Sequence, residues 1–140
     1  MSDPVLDFQA TLLAFLRAQA SLSVWLGTPT RIYDQPPEQP EYPYVAFGRA
    51  SAQSLGGTGA GTGSEVTEQA LNLMCVSRFG GSEEAKAVAA ELRVLLDGAE
   101  LSLSAQHLVS LRITYTDVFR ASDQRTTYAL LRLRAVTEPV

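Results

Sequence analysis

The 140-residue sequence has little of what most sites of covalent or metal chemistry require. Its only cysteine, Cys75, excludes an intrachain disulfide and fits a reducing compartment. Its only histidine, His107, has no partners at a metal-ligand spacing. No apolar run reaches the length of a transmembrane helix, and the first residues lack the basic region of a secretory signal. We therefore expect a cytoplasmic product with no cofactor, no metal and no membrane partner.

A surplus of positive charge is also absent. Eleven basic residues stand against fifteen acidic ones, which gives a net charge of −4 and disfavours a protein that coats DNA. The charges are unevenly placed, however, because residues 101–140 hold three acids and five arginines. The arginine surplus therefore falls in the last part of the chain.

The glycine-rich segment "LGGTGAGTGSE", residues 55–65, raises the question of a phosphate-binding loop. In the nucleotide-binding pattern that starts at Gly56, Thr62 stands where the lysine is required. In the dinucleotide pattern that starts at Gly57, Thr62 again replaces the third glycine, and a strand rather than a helix follows. We interpret the segment as a long flexible loop.

Two helices are predicted from the spacing of apolar residues. The first covers residues 4–20, with Asp3 as the cap and a short extra turn over 21–27, where Trp25 is expected to lie in the core. The second lies between Ser82, a good N-cap, and Gly98, which suits the position after a helix end. Both helices have one apolar stripe and so should pack on a sheet.

Five strands are predicted: two within 31–48 on either side of a proline-rich turn, and three at about 66–78, 107–119 and 126–137. We expect adjacent strands to form antiparallel pairs. In the last hairpin, Val109, Leu111, Ile113 and Tyr115 should share the core face, with Ile113 opposite Leu133. The predicted fold is a single α+β domain over residues 1–140, with a mostly antiparallel sheet and two helices packed on one side.

The other face of that hairpin carries Arg112, Arg132 and Arg134 together with Tyr128 and Leu130. The register places Arg112 opposite Arg134, and like charges directly opposite each other destabilise a sheet. Arginine and aromatic residues are enriched at protein interfaces. One hypothesis is that this face contacts a partner subunit that supplies carboxylates; the alternative is a solvated sheet face with splayed arginines.

Four stretches in order, "RIYDQPPEQPEYPYVAFG", "SRFGGSEEAKAVAAEL", "LDGAELSLSAQHLVSLR" and "RTTYALLRLRAVTE", resemble the tail-completion, or tail-terminator, family of long-tailed phages and gene transfer agents. The resemblance implies a hexameric ring at the head-proximal end of the tail tube, without a catalytic site. It also implies contacts with the tail tube protein and with a head–tail connector or stopper protein. DNA would pass through the lumen without specific binding, and the protein would leave the cytoplasm in the finished particle.

A ring needs two unlike surfaces on each subunit, because its interfaces are heterologous. We expect one surface to be the arginine-bearing sheet face and the other to be the acidic side of the second predicted helix, with Glu83, Glu84 and Glu91. The loop should meet a neighbouring ring through its glycines, Gly56, Gly57, Gly59, Gly61 and Gly63. The competing interpretation is a small cytosolic α+β module that binds a ligand between its sheet and its helices.

Overall fold

The computed structural model describes residues 3–55 and 66–140. The predictions for the glycine-rich loop fall on residues that lie outside this description, namely Gly56, Gly57, Gly59, Gly61 and Gly63.

Residues 3–55 and 66–140 contain three helices: α1 (Pro4–Arg17), α2 (Ala20–Leu26) and α3 (Glu83–Leu96). The Asp3 carboxylate caps α1 by accepting from the Leu6 N–H at 3.2 Å, and Pro4 occupies the first helical position. The prediction of one continuous helix over 4–20 was wrong. The backbone is extended at Gln19, so a separate helix follows there in place of the predicted short turn.

The break at Gln19 changes which side chains of α2 reach the core. Leu22 and Leu26 are fully buried, whereas Trp25 is 38% exposed. The expectation that Trp25 lies in the core was therefore wrong. In a helix of seven residues only one stripe faces inward, and here the two leucines, four residues apart, occupy it.

The described part of the chain contains five strands: β1 (Ile32–Tyr33), β2 (Tyr44–Ser54), β3 (Thr67–Ser77), β4 (Gln106–Arg120) and β5 (Thr127–Pro139). They form one sheet in the order β1-β2-β3-β5-β4. All neighbours are antiparallel except β1 and β2, which are parallel, so the expected antiparallel pairing of the first two strands was wrong. The proline-rich connection over residues 34–43 returns the chain to the end of the sheet where β1 begins, and this makes the pair parallel.

The predicted register of the last hairpin is confirmed in its central part, where Leu111 lies opposite Ala135 and Ile113 opposite Leu133. Beyond this part, β4 is interrupted twice, between Leu108 and Ser110 and between Ile113 and Tyr115. Each interruption is a β-bulge, and an extra residue turns the following side chains to the other face.

The two outer residues of the predicted core face of β4 are affected by these bulges. Tyr115 lies opposite Arg132, whose side chain points away from the core, and Tyr115 is 46% exposed. Val109 is the extra residue of the first bulge and is 51% exposed. The prediction that both share the core face with Leu111 was wrong, because strict alternation holds only along a regular strand.

The core lies between the sheet and the three helices. Fully buried leucines from α1, α3, β3 and β5 meet there: Leu12, Leu92, Leu73, Leu131 and Leu133. The α+β prediction with a mostly antiparallel sheet is confirmed, with three helices because the predicted extra turn is α2. None of the helices within residues 3–55 and 66–140 is long and apolar enough to cross a bilayer.

A buried carboxylate joins α1 to the segment before β4. Asp7 is 7% exposed and accepts hydrogen bonds from the Ser104 N–H at 3.1 Å, the Ser104 hydroxyl at 2.6 Å and the Ala105 N–H at 3.0 Å. Burial raises the pKa of Asp7, but these hydrogen bonds favour the charged form more strongly, so its pKa lies below the usual value. The contact fixes residues 97 positions apart in the chain.

Candidate assembly surface

The side of the sheet away from the helices is called the open face here. Since side chains alternate along a strand, residues between the core positions of β3 and β5 point to this side. All three helices contribute to the core on the opposite side. The open face carries Tyr44, Ala46, Glu68, Ala70, Asn72, Met74, Val76, Arg112, Tyr115, Asp117, Phe119, Tyr128, Leu130, Arg132, Arg134 and Val136.

The five residues predicted on the last hairpin, Arg112, Tyr128, Leu130, Arg132 and Arg134, share the open face. Arg112 and Arg134 are direct neighbours, as the sequence predicted. Tyr128, Leu130 and Arg134 are half-buried, whereas Arg112 and Arg132 are exposed. The structure therefore brings these predicted residues together on one surface.

Two of the three arginines find carboxylates within their own chain. Arg134 Nε donates to the Glu68 carboxylate on β3, and Arg112 Nε donates to Asp97 Oδ1 at 2.9 Å. Hydrogen bonds from the Ile113 N–H and from Arg112 favour the charged form of Asp97 and lower its pKa. These pairs offset the repulsion between the neighbouring guanidinium groups, so the like-charge argument for a partner's carboxylates does not rest on Arg112 or Arg134.

Arg132 differs from both. Among the described residues it forms no ion pair, and its Nε donates only a long hydrogen bond of 3.4 Å to Asn72 Oδ1. Its guanidinium carbon lies 5.1 Å from the centre of the Tyr115 ring, which is a cation–π contact. Arg132 is exposed, and its guanidinium carries five N–H donors, so it can bind a carboxylate of another molecule.

Aromatic residues form a second group on the open face, near the turn between β4 and β5. The Phe119 and Tyr128 rings have centroids 5.4 Å apart, and Tyr42 and Tyr44 lie 5.5 Å apart. Arg78 covers the Tyr42 ring at 4.5 Å. Burial and the neighbouring tyrosines, Tyr42 and Tyr128, raise the pKa of Tyr44 above its usual value.

Sequence reasoning missed most of this aromatic group. Phe119 has the same parity as Ile113, so strict alternation places it on the core face; the bulge before Tyr115 moves it to the open face. Tyr44 joins the group only through its register opposite Val76. A signal for the bulge was available in Tyr115 and Asp117, since an acid at a predicted core position indicates a shift of face.

The acidic residues predicted on the second helix lie on α3, across the core from the open face. Glu83 is exposed and Glu91 is half-buried. Glu84 accepts a hydrogen bond from the Ser77 hydroxyl at 2.8 Å, which ties the start of α3 to the end of β3. The structure thus keeps the acidic helix surface and the arginine-bearing face apart, on opposite sides of the molecule.

The ligand-binding interpretation placed a pocket between the sheet and the helices, where Leu73, Leu92 and Leu131 are instead fully buried against one another. A wide-open groove of about 960 Å³ lies between the segment 98–103 and the first half of β4. His107 lines it. Within residues 3–55 and 66–140 no group of three histidine, cysteine, aspartate or glutamate side chains is arranged to hold a metal ion.

Comparison with solved structures defines the class of protein. The chain is similar to a chain of the "Virion of native gene transfer agent (GTA) particle", with a TM-score of 0.85 and 27% identity. The match covers 98% of this chain and 99% of the other. The fold is thus that of a structural component of a virus-like particle.

The sequence profile of the family "Tail completion protein gp17" matches residues 10–138. The chain therefore belongs to the tail completion protein gp17 family, and the resemblance stated from the four sequence stretches is confirmed. A comparison with curated proteins finds no match. The protein is accordingly a tail structural protein of a phage or gene transfer agent type of particle.

Proposed function

We propose that this protein forms a ring at the head-proximal end of the tail tube, where it stops tube polymerisation and joins the tail to the neck of the head. The observation that carries the proposal is the match over nearly the whole length to a virion chain, together with membership of the tail completion family. The proposed ring is a hexamer, by resemblance to the family. Its proposed neighbours are the tail tube protein and a head–tail connector or stopper protein.

The geometry supports a ring because the subunit has two unlike surfaces. The open face presents Arg132 without an ion pair among the described residues, and the far side presents the acidic start of α3. A heterologous interface joins two different surfaces of identical chains, and it closes into a ring when the rotation between subunits divides the circle. In the proposed contact, Arg132 receives a carboxylate from the next subunit, with Glu83 and Glu91 as the candidate acids.

Translocation of DNA through the lumen fits the net charge of −4, since a negative net charge disfavours non-specific binding of the DNA phosphates. The proposed role is structural and needs no catalytic residues or cofactor. We place the glycine-rich residues 56–65 at the contact with a neighbouring ring. The protein would assemble in the cytoplasm and leave it within the particle.

The first test is genetic. Removal of the gene should yield tails of uncontrolled length without heads, because nothing would stop tube growth or provide the docking surface. Electron microscopy of particle preparations measures both properties. Normal tails with attached heads in the deletion strain would refute the proposed role.

The second test addresses Arg132. We expect Arg132→Glu to abolish ring formation in native mass spectrometry, because a charge reversal at an interface replaces attraction by repulsion and costs about 2–5 kcal/mol per contact. Arg125→Glu, an exposed charge reversal in the β4–β5 turn, is the matched control and should leave rings intact. Intact rings in both variants would exclude Arg132 from the interface.

A further inference from the structure

The sheet has two outer edges that no described strand covers over part of their length. β1 pairs with β2 only at Val45 and Ala46, so none of residues 3–55 and 66–140 forms a strand beside β2 beyond this point. On the other side β4 is the last strand. Its first half is covered where the Gly98 N–H donates to the Leu111 carbonyl, but its second half has no strand beside it among the described residues.

The hydrogen-bonding direction of each edge residue follows from the pairing. In antiparallel strands, residues point their N–H and C=O groups alternately to one neighbour and to the other. The Leu111 carbonyl and the Ile113 N–H point outward, to the Gly98 N–H and the Asp97 carboxylate. The backbone N–H and C=O groups of Arg112 and of its partner Arg134 therefore point towards each other.

Because β5 pairs with β3 without interruption, the alternation continues to the end of the hairpin. On β4, the backbone groups of Tyr115, Asp117 and Phe119 then form hydrogen bonds with β5. The backbone groups of Thr116 and Val118 point outward, away from β5.

The same reasoning applies to β2. Val45 points outward, since its N–H donates to the Arg31 carbonyl of the segment leading into β1. Beyond the bulge after Phe47, the pairs of Ser51 with Ala70 and Gln53 with Glu68 lie in the inward-bonding positions. Ala50 and Ala52 therefore point their N–H and C=O groups outward, and both are exposed.

We propose that the β2 edge at Ala50 and Ala52 pairs with the β4 edge at Thr116 and Val118 of a second copy of this chain, in antiparallel orientation. This inference rests on the proposed ring and gives it a contact other than that of Arg132 with α3, because edge pairing keeps the open faces of neighbouring subunits on the same side of the sheet. In it, Ala52 lies opposite Thr116 and Ala50 opposite Val118. The sheets of adjacent subunits would then form one continuous sheet around the ring.

Three properties of the edges support this pairing. First, β2 and β4 run in opposite directions within the subunit, so they meet as antiparallel neighbours when the sheet continues into a second copy. Second, the outward residues of both edges lie on the helix-covered side: Ala50 is opposite Leu71 and Val118 is opposite Ala129. Two residues that lie opposite each other in an antiparallel pair have their side chains on the same side of the sheet. The helix-covered face and the open face of the sheet are therefore both continuous across the contact.

The third property is the size of the side chains. The β2 edge carries small residues around Ser51, whereas Tyr115 and Phe119 on β4 are 46% and 41% exposed. In this register Ser51 lies opposite Asp117, between the two rings, which allows close approach of the strands, and the Gln53 side chain lies opposite Tyr115 and covers part of its ring. In a closed ring, pairing of two unlike edges covers both edges of every subunit. Pairing of two identical edges covers only that edge and leaves the second edge of each subunit uncovered.

Proline at an outward position tests the contact, because it removes the bonding N–H and is tolerated on an edge strand. Ala52→Pro blocks the β2 edge and Thr116→Pro blocks the β4 edge. We expect each variant to be a monomer in native mass spectrometry. Ala52→Val and Thr116→Val keep the N–H and should form rings as the wild type does, while circular dichroism confirms that all four are folded.

Mixing the two proline variants distinguishes unlike from like edges. Thr116→Pro retains its β2 edge and Ala52→Pro retains its β4 edge, so the mixture should form a dimer of twice the 15.1 kDa chain mass. Only one contact is possible in it, so assembly stops there. Dimers of Ala52→Pro alone, with no new species on mixing, would refute the pairing of unlike edges.

Cross-linking gives an independent measurement that does not depend on proline. In a hydrogen-bonded antiparallel pair the Cα atoms are about 5.5 Å apart, which suits a disulfide. Oxidised Ala52→Cys/Thr116→Cys should give a ladder of multimers on a non-reducing gel. In the control Gln53→Cys/Thr116→Cys the two side chains lie on opposite sides of the sheet, and the chain should stay monomeric.

The outcomes separate this inference from the proposed function. Rings formed by both proline variants, or no ladder from the Ala52→Cys/Thr116→Cys chain, would overturn the edge contact and leave the ring role standing. A wild-type chain that stays monomeric would overturn both. Edge-paired rings in solution, combined with normal tails and heads in the deletion strain, would support the contact and refute the proposed role.

Discussion

Replacement of Asp7 by alanine should destabilise the protein, because this carboxylate accepts three hydrogen bonds from a segment 97 residues away. Hydrogen bonds to a charged group contribute about 1.5–3 kcal/mol each, but Ser104 is exposed and its donors can bind water after the change. We therefore expect a total loss of about 2–3 kcal/mol rather than the sum of three bonds. At roughly 3 °C per kcal/mol for a chain of this size, Tm should fall by about 6–9 °C.

The pH dependence identifies the carboxylate as the cause. The pKa of Asp7 is lower in the folded protein than in the unfolded chain, so its contribution is complete above the unfolded pKa and is lost as pH falls through the folded pKa. The difference in Tm between wild type and Asp7→Ala should stay constant from pH 7 to about 5 and shrink below about 4. Differential scanning calorimetry across this range measures it.

A matched control is Asp34→Ala, which removes an exposed carboxylate that accepts one hydrogen bond, from the Gln9 amide at 3.0 Å. This change should lower Tm by less than about 3 °C, since exposed polar contacts contribute little. Equal losses in the two variants, or an Asp7→Ala effect as large at pH 3 as at pH 7, would refute the role given to the Asp7 carboxylate.

Three further predictions concern the core and the turns. Leu131→Ala, at a fully buried position on β5, should cost about 2–5 kcal/mol in urea unfolding, and a loss under 1 kcal/mol would contradict the packing. Burial raises the pKa of Cys75 to about 12, so its thiol should react with a disulfide reagent at pH 8 only as fast as the protein opens; immediate reaction in the native state would contradict this. Gly27→Ala should lower Tm more than Gly98→Ala, although both glycines have positive φ. A Cβ at Gly27 would displace the Arg31 guanidinium from its hydrogen bonds to the Pro43 and Tyr42 carbonyls, whereas one at Gly98 meets no atom of the described residues within 4 Å. Equal Tm losses would show that only the backbone conformation matters.

Local pattern was sufficient for most of the secondary structure. α3 begins after Ser82, and the centre of the β4–β5 hairpin has the predicted register at Leu111 and Ile113. Both depend on interactions between residues close in sequence and on the need to bury one side of each element. The family was also accessible, because it is carried by the order of motifs along the chain.

The candidate surface was predictable only in part. The sequence placed Arg112, Arg132 and Arg134 on one face, because alternation along β5 is regular. It could not show that Glu68 and Asp97 neutralise two of them, since these acids come from distant elements. From the sequence alone, Arg132 therefore could not be distinguished from Arg112 and Arg134. Only the pairing of the strands shows that it differs in having no ion pair among the described residues.

The amino-acid sequence by itself determined which segments are helices and strands, which side of most of them is apolar, and to which family the chain belongs. Only the tertiary structure decided the break at Gln19, the bulges that move Tyr115 and Phe119 to the open face, and which strand edges lie without a neighbouring strand among residues 3–55 and 66–140. The physical reason is that periodicity reports the free energy of burying one side of an element, whereas bulges, ion pairs and edges depend on which elements become neighbours in space.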